Sequence, residues 1–309
     1  MKHVFVVNPA AGSGAGLTDI LPAIHKALTG FEDDYEIHRT LSEQETILYC
    51  RQKCAFEGDV RFYACGGDGT VNNVLQGIAG HANAQLAVVP CGTGNDFVRN
   101  FTNKENFLSI EKQINGSVMP IDVLKWQGGY ALNMFNIGVD CDVVAEAAAM
   151  KSDKLKGTAA YLAAAFKVLR KGKTYRMAYR VDDGEEVEAE LMLAAIANGH
   201  FCGGGFKSCP GAKLDDGYMD VSVVSPVRGL KLPILLAKYR AGTHLQDRDA
   251  DKYIKYIHCK KFSLRALEPV RISVDGEVLD FPDTEFEIIP SWLKFVVPEG
   301  SEFIQSMRI

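Results

Sequence analysis

Two glycine-rich segments carry the first chemical signal in this chain. Gly66-Gly67-Asp68-Gly69-Thr70 follows an apolar run from Val60 to Cys65, and Cys91-Gly92-Thr93-Gly94-Asn95-Asp96-Phe97 follows a second run, Leu86 to Pro90. Glycine puts no side chain between backbone and ligand, so the N–H groups of such a turn can close on a phosphate. A helix that begins there adds the positive end of its dipole. Either turn alone is also ordinary strand-to-helix chemistry, with Thr, Asn and Asp as capping residues. Two of them at the carboxyl ends of successive apolar strands point to phosphate binding, because open α/β sheets bind their ligands at those ends. The Gly-x-x-x-x-Gly-Lys-Ser/Thr loop is absent, and Gly12-Ser13-Gly14-Ala15-Gly16 matches the dinucleotide fingerprint only loosely.

Such turns need a sheet beneath them. The first third of the chain alternates apolar strands near 3–7, 34–39, 60–65 and 86–90 with helical patterns at 17–29, 43–55, 71–80 and 95–100. That order predicts a parallel, helix-covered sheet. Beyond about residue 118 the texture changes. After helical patterns at 141–150 and 157–171, the segments 174–181, 186–197, 219–225, 253–258, 261–267 and 270–274 read as strands. Asp182-Asp183-Gly184, Asp216-Gly217 and Asp275-Gly276 supply hairpin turns for a mainly antiparallel sheet. A boundary is expected at Trp126-Gln127-Gly128-Gly129, giving domains 1–126 and 127–309, with the last residues able to pack back on the first domain. The apolar run Leu230 to Tyr239 predicts a short helix packed on the second domain, and contact with a lipid interface is its alternative reading.

The 309 residues carry a net charge of −5 and 47% hydrophobic residues, enough for full cores and unlike the basic faces that bind nucleic acid. Eight cysteines are scattered with no Cys-x-x-Cys pair, which predicts reduced thiols, and Cys202, Cys209 and His200 match no standard zinc spacing. The amino-terminal apolar run is shorter than that of a signal peptide, and no stretch reaches the roughly 18 apolar residues of a membrane span. A cytoplasmic protein without a transmembrane segment is expected, with a homodimer as the default assembly.

Joined to Asn8-Pro9-Ala10-Ala11-Gly12, the two glycine turns resemble the diacylglycerol-kinase catalytic domain of bacterial soluble lipid kinases, relatives of sphingosine and ceramide kinases. The match continues through Asn136-Ile137-Gly138-Val139-Asp140, Asn198 to Gly205, Pro210 to Asp220 and Val274-Asp275-Gly276-Glu277, in the order that family shows. The resemblance covers nearly the whole chain. It implies an α/β nucleotide-binding domain like that of NAD kinases and 6-phosphofructokinases, then a β-sandwich-like lipid-substrate domain, with ATP and Mg²⁺ as cofactors and the site between the two.

Carried over by position, the resemblance implies that Asn8, Pro9, Gly12, Thr40, Gly66, Gly67, Asp68, Gly69, Thr70, Asn72, Thr93, Gly94, Asn95 and Asp96 surround the nucleotide. Asp68 would face the phosphates and Mg²⁺, and Glu277 would be the general base, supported by Asp275. A second Mg²⁺ would take the Asp216 carboxylate with the backbone carbonyls of Lys213 and Tyr218, a donor set that suits a hard cation keeping several waters. Without the resemblance, Asp275-Gly276-Glu277 reads as a hairpin, and Lys213 to Tyr218 as a turn with two solvated aspartates. The chain departs from the pattern at Ala11, where serine is usual, and at Asn73, where glutamate is common. An amide in that place brings no negative charge toward a metal.

The implied activity is ATP-dependent transfer of the γ-phosphate to a neutral lipid hydroxyl, with diacylglycerol becoming phosphatidic acid, by a protein that visits the membrane peripherally. NAD kinase or another small-molecule kinase shares the Gly-Gly-Asp-Gly-Thr loop, but Thr93-Gly94-Asn95-Asp96 and the late Asp-Gly-Glu resemble the lipid branch. A catalytically inactive nucleotide- or lipid-binding module is the non-enzyme alternative, suggested by Ala11 and Asn73.

Overall fold

The computed structural model describes residues 1–150, 157–281 and 283–306. The chain forms two compact units, one of Met1–Asp122 with Ser291–Gln305 and one of Val123–Pro290 with Ser306.

The first unit is built on the strands β1 (Lys2–Val7), β2 (Tyr35–Arg39), β3 (Val60–Gly66) and β4 (Ala84–Pro90), in the order β2-β1-β3-β4 and all parallel. β3 is buried along its whole length, and β1 from His3 to Val7. Unbroken burial rather than alternation is what a parallel sheet covered on both faces requires. The helices α1 (Leu21–Ala27), α2 (Glu43–Phe56) and α3 (Asp68–Ile78) cross between successive strands, and α4 (Ile110–Ile114) follows β4. α3 buries Val71, Val74, Leu75 and Ile78, one apolar stripe at helical spacing.

Local chemistry shifts three expected helices. The pattern at 17–29 begins as a π-helical turn, Gly16–Ile20, before α1. α3 begins at Asp68, earlier than periodicity suggests, because Gly67 takes the extended N-cap conformation. The segment near 95–100 is only a 3₁₀ turn, Phe97–Asn100. Asn95 sits at φ +51° with its side chain folded onto Gly92, which stops a longer helix from starting there.

The second unit takes up the end of β5 (Ser117–Trp126), which turns into β6 (Gly129–Ala131), and then β7 (Met134–Gly138). α5 (Val139–Met150) and α6 (Gly157–Leu169) follow, then β8 (Tyr175–Val181), β9 (Val187–Leu191), β10 (Leu193–Ala197) and β11 (Met219–Val224). α7 (Lys231–Ala241) precedes β12 (Ile254–Cys259), β13 (Lys261–Ala266), β14 (Arg271–Val274), β15 (Glu277–Asp280) and β16 (Thr284–Val297). One sheet has the order β12-β11-β10-β7-β14-β15, and in the other β13 pairs antiparallel with β8 and with the start of β16, while β8 pairs with β9. Phe135 of the first sheet meets Phe286 of the second at 4.9 Å between rings, so the two sheets share one core. This is a β-sandwich.

The segment 186–197, expected as one strand, proves to be two strands in different sheets. Met192 breaks it by giving its N–H to Val224 O at 2.8 Å and its carbonyl to Val139 N at 2.9 Å, leaving β9 on β8 and β10 on β7 and β11. β16 belongs to both units. At Ser291, with φ +50° and its N–H held by Asp122 Oδ1 at 2.7 Å, the strand passes into the first unit and runs parallel to β4 through Lys294 and Phe295.

Candidate active site

In the first unit the candidate residues gather at the carboxyl ends of the parallel strands. Asn8, just after β1, donates through Nδ2 to Thr70 Oγ1 at 2.9 Å, and its Oδ1 accepts the Ala10 N–H at 3.0 Å. A cavity of about 260 Å³ opens beside them, lined by Asn8, Pro9, Thr40 and Thr70. Its wall is completed by residues that the sequence reading did not assign to the nucleotide: Ala10, Leu41, Ser42, Glu43, Thr46 and Asn73. Ser42 is the N-cap of α2, accepting Glu45 N–H at 3.3 Å, while Glu45 accepts Leu41 N–H at 3.3 Å. The Ser-x-x-Glu spacing just after β2 was the available signal for this wall. None of the lining residues is a lysine or arginine.

The two glycine turns hold each other. Asp68 accepts the N–H groups of Asn95 at 2.9 Å and Asp96 at 3.1 Å, one on each carboxylate oxygen, and Cys91 N–H bonds Gly66 O at 2.9 Å. Gly67 and Gly92 lie so close that a side chain on Gly92 would strike the Gly67 Cα, and one on Gly94 would come within 2.7 Å of Asp68 Oδ2. Gly12, at φ +57°, packs against the carbonyl of Cys91 in the same way. These glycines are required by turn-against-turn contact. Gly69 differs: nothing stands within 4 Å of the place its side chain would occupy. Arg99 is pinned over the second turn, 3.2 Å from Asp96 Oδ1 and from Gly94 O. Asn72 bonds Gln76 along α3 at 3.1 Å, and Thr93 is exposed.

The N-cap of α3 is Gly67, which brings no side chain to the helix start, where the first-turn N–H groups and the positive end of the helix dipole face outward. Together with the open space at Gly69, this suits a phosphate. For Mg²⁺, Asp68 offers a carboxylate, and this cation takes one or two carboxylates with phosphate oxygens and water. The residues fit both groups. Among the described residues no cluster of three or more His, Cys, Asp and Glu forms a protein-only metal cage.

In the second unit the Val274–Glu277 motif forms a hairpin that is tied to the Asn198–Gly205 motif through the segment before β7. Asp275 and Gly276, at φ +46° and +97°, form the tight turn between β14 and β15. The Asp275 carboxylate accepts three backbone N–H groups, from Leu132 at 2.9 Å, Asn133 at 3.1 Å and Met134 at 2.9 Å. Asn133 in turn accepts from Asn198 N at 2.8 Å and donates to Phe201 O at 2.7 Å. The hairpin is thereby fixed to the segment before β7 and to the Asn198–Gly205 loop. Glu277 begins β15, exposed and paired across from Val274. In the same loop the His200 ring is fully buried, its Nε2 2.8 Å from Ala212 O, and burial pushes its pKa down to about 4.

At the second proposed metal position, Asp216 Oδ1 accepts Tyr218 N–H at 3.1 Å, and Gly217 turns the chain at φ +76°. Asp216 Oδ2 stands 3.9 Å from Lys213 Nζ and 4.0 Å from His258 Nε2. A carboxylate is a hard oxygen donor that suits a hydrated Mg²⁺, here in competition with the Lys213 ammonium.

Comparison with known proteins places this architecture in a family. Residues 2–126 match the diacylglycerol kinase catalytic domain, and residues 134–297 match the YegS C-terminal NAD kinase beta sandwich-like domain. The chain belongs to the lipid kinase family that joins these two domains. It is 28% identical to "Probable lipid kinase YegS-like" of Shewanella frigidimarina over 75% of each chain. It is also 28% identical to "Diacylglycerol kinase" of Staphylococcus saprophyticus, covering 88% of this chain and 87% of that one. A solved structure from Bacillus anthracis, described as a candidate diacylglycerol kinase, superposes with a TM-score of 0.74 at 27% identity, covering 96% of this chain and 97% of the other. An NAD kinase from Archaeoglobus fulgidus shares the fold at a TM-score of 0.50 and 16% identity. Among the described residues no helix is long and apolar enough to cross a membrane.

Proposed function

We propose that this chain transfers the γ-phosphate of ATP to the hydroxyl of a neutral lipid, with diacylglycerol as the first substrate to test and Glu277 as the general base. The carrying observation is the division of labour in the β14–β15 turn. Asp275 commits its carboxylate to three backbone N–H groups, so it anchors the turn, while Glu277 stands exposed two residues on. A base must sit in a fixed place and reach its proton, and an anchored hairpin provides the fixed place.

Phosphoryl transfer asks a protein mainly to position reactants and neutralise charge. The first-turn N–H groups of α3 would hold a phosphate, and the Asn8–Thr70 pair would border the nucleotide in the cavity whose lining has no lysine or arginine. When bound, Mg²⁺ would supply the cationic charge that this lining lacks. Glu277 takes the proton of the lipid hydroxyl as that oxygen attacks phosphorus and the bond to ADP breaks.

The test is transfer of labelled γ-phosphate with Mg²⁺ to diacylglycerol, sphingosine, ceramide, phosphatidylglycerol, undecaprenol and NAD, with Glu277→Gln as control. Glu277-dependent labelling of one lipid is the expected result. Labelling of NAD alone would overturn the lipid reading, and equal labelling by the Gln variant would remove Glu277 from the proton transfer.

A further inference from the structure

We propose that Lys207 is a phosphate-binding residue on the acceptor side of the reaction, where its ammonium receives the phosphoryl group arriving at the lipid hydroxyl and then holds the phosphate monoester of the product. The assignment rests on the lipid-kinase reading above and extends it to a residue between the Asn198–Gly205 and Pro210–Asp220 segments. The side chain is clamped from two directions. Gly242, which caps α7 at φ +73°, makes room for the lysine stem, since a side chain there would come within 2.7 Å of Lys207 Cδ. On the other side Nζ stands 5.7 Å from the centre of the Phe201 ring, a cation–π contact, and the backbone N–H donates to Arg240 O at 3.1 Å.

Phe201 ties this lysine to the candidate base. Asn133 Nδ2 donates to Phe201 O at 2.7 Å, and Asn133 N–H donates at 3.1 Å to Asp275 Oδ1, in the turn that carries Glu277. The ammonium itself has no anion. Among the described residues it forms no ion pair and no hydrogen bond, so it does not cap the carbonyls at the end of α7. A half-buried ammonium whose partner is a ring face has given up hydration without the compensation a carboxylate would bring, and burial accordingly lowers its pKa. The cations of the neighbouring motifs are engaged, Arg99 by Asp96 and Lys213 by Asp216. A phosphate supplies the missing partner, because a compact charge with three rotatable donors suits a group whose charge is spread over three oxygens. In the transfer the bond from the γ-phosphorus to ADP breaks, the bond from phosphorus to the lipid oxygen forms, and the proton goes to Glu277. Lys207 keeps its own protons and only donates hydrogen bonds.

The experiment uses the full chain and its variants Lys207→Met and Lys207→Arg. Transfer of labelled γ-phosphate to dihexanoylglycerol dissolved as monomers gives kcat and KM. Calorimetric titration with dihexanoyl phosphatidic acid, with dihexanoylglycerol and with inorganic phosphate gives binding without turnover, and urea unfolding is followed for each protein. Lys207→Met should lower kcat by about 10² to 10³ and leave the KM for ATP unchanged. It should weaken phosphatidic acid by about tenfold or more while dihexanoylglycerol binds as before, with an unfolding midpoint no lower than the parent's. Lys207→Arg should recover most of the phosphatidic acid binding. Turnover and phosphatidic acid binding that are unchanged in the Met variant overturn the proposal. So does a loss that arginine fails to recover and that follows a lowered unfolding midpoint, which would make Lys207 a structural support of the α7 end. Lys207-dependent binding of inorganic phosphate with none of phosphatidic acid also overturns it, leaving a site for free anions. Lys207-dependent binding of phosphatidic acid by a chain that phosphorylates no dihexanoylglycerol upholds the site and counts against the substrate reading instead.

Discussion

At the scale of single residues, the two acidic members of the Asp275-Gly276-Glu277 turn have separate tasks, and the difference can be measured. Glu277→Gln keeps the side chain's length and hydrogen-bonding capacity while removing the base, so kcat should fall by about 10² to 10⁴ with the unfolding midpoint little changed. Asp275→Ala leaves three N–H groups without their acceptor and should cost about 2–4 kcal/mol in denaturant unfolding. A Glu277→Gln protein that unfolds early, or an Asp275→Ala protein as stable as the parent, would contradict this division. Asp68 is likewise a structural tie through Asn95 and Asp96 as well as a candidate metal ligand. Its two bonds could be found only in the folded chain, because they join positions separated by 27 and 28 residues.

At the scale of elements, the glycines in the two turns should answer differently to substitution. Gly92→Ala pushes the Gly67 backbone away, so both stability and ATP affinity should drop. Gly69→Ala meets no protein atom, and alanine favours a helix by roughly 0.5–1 kcal/mol over glycine, so stability should hold or rise while the methyl group crowds the phosphate and weakens ATP binding. Calorimetric titration with ATP, paired with thermal unfolding of each variant, separates the two effects. Unweakened ATP binding by Gly69→Ala would move the phosphate away from the start of α3. Strands and helices such as β3 and α2 were legible because unbroken apolar runs and capping residues are local signals. The break at Met192 was not, since Val187 to Ala197 contains no glycine, proline or other turn residue and only its partners in two different sheets divide it.

For the whole molecule, acid should loosen the sandwich. Burial lowers the pKa of His200 and of His244 to about 4, below the ordinary 6.5, so the native state binds fewer protons than the unfolded chain between those values. Their contribution is fully present above about pH 6.5 and is lost as pH falls toward 4, on the order of 2 kcal/mol each. Urea unfolding at pH 7 and pH 4.5 should show the loss, and His244→Phe, which keeps a ring beside Tyr239 at 4.8 Å, should reduce it. A pH profile identical in the variant would exclude His244 as a source.

The sequence alone determined the class of fold and the kind of chemistry, because both rest on local patterns: buried parallel strands appear as unbroken apolar runs, and phosphate turns as glycine at strand ends. It also carried the ordered motifs that place the chain among the lipid kinases. The tertiary structure decided which residues meet. It set Ser42, Glu43 and Thr46 beside Asn8 and Thr70, gave Asp275 its three N–H donors from residues 132–134, and divided β16 between the two units. Those contacts join segments far apart along the chain, and a hydrogen bond between distant residues leaves no periodicity in either segment from which it could be read.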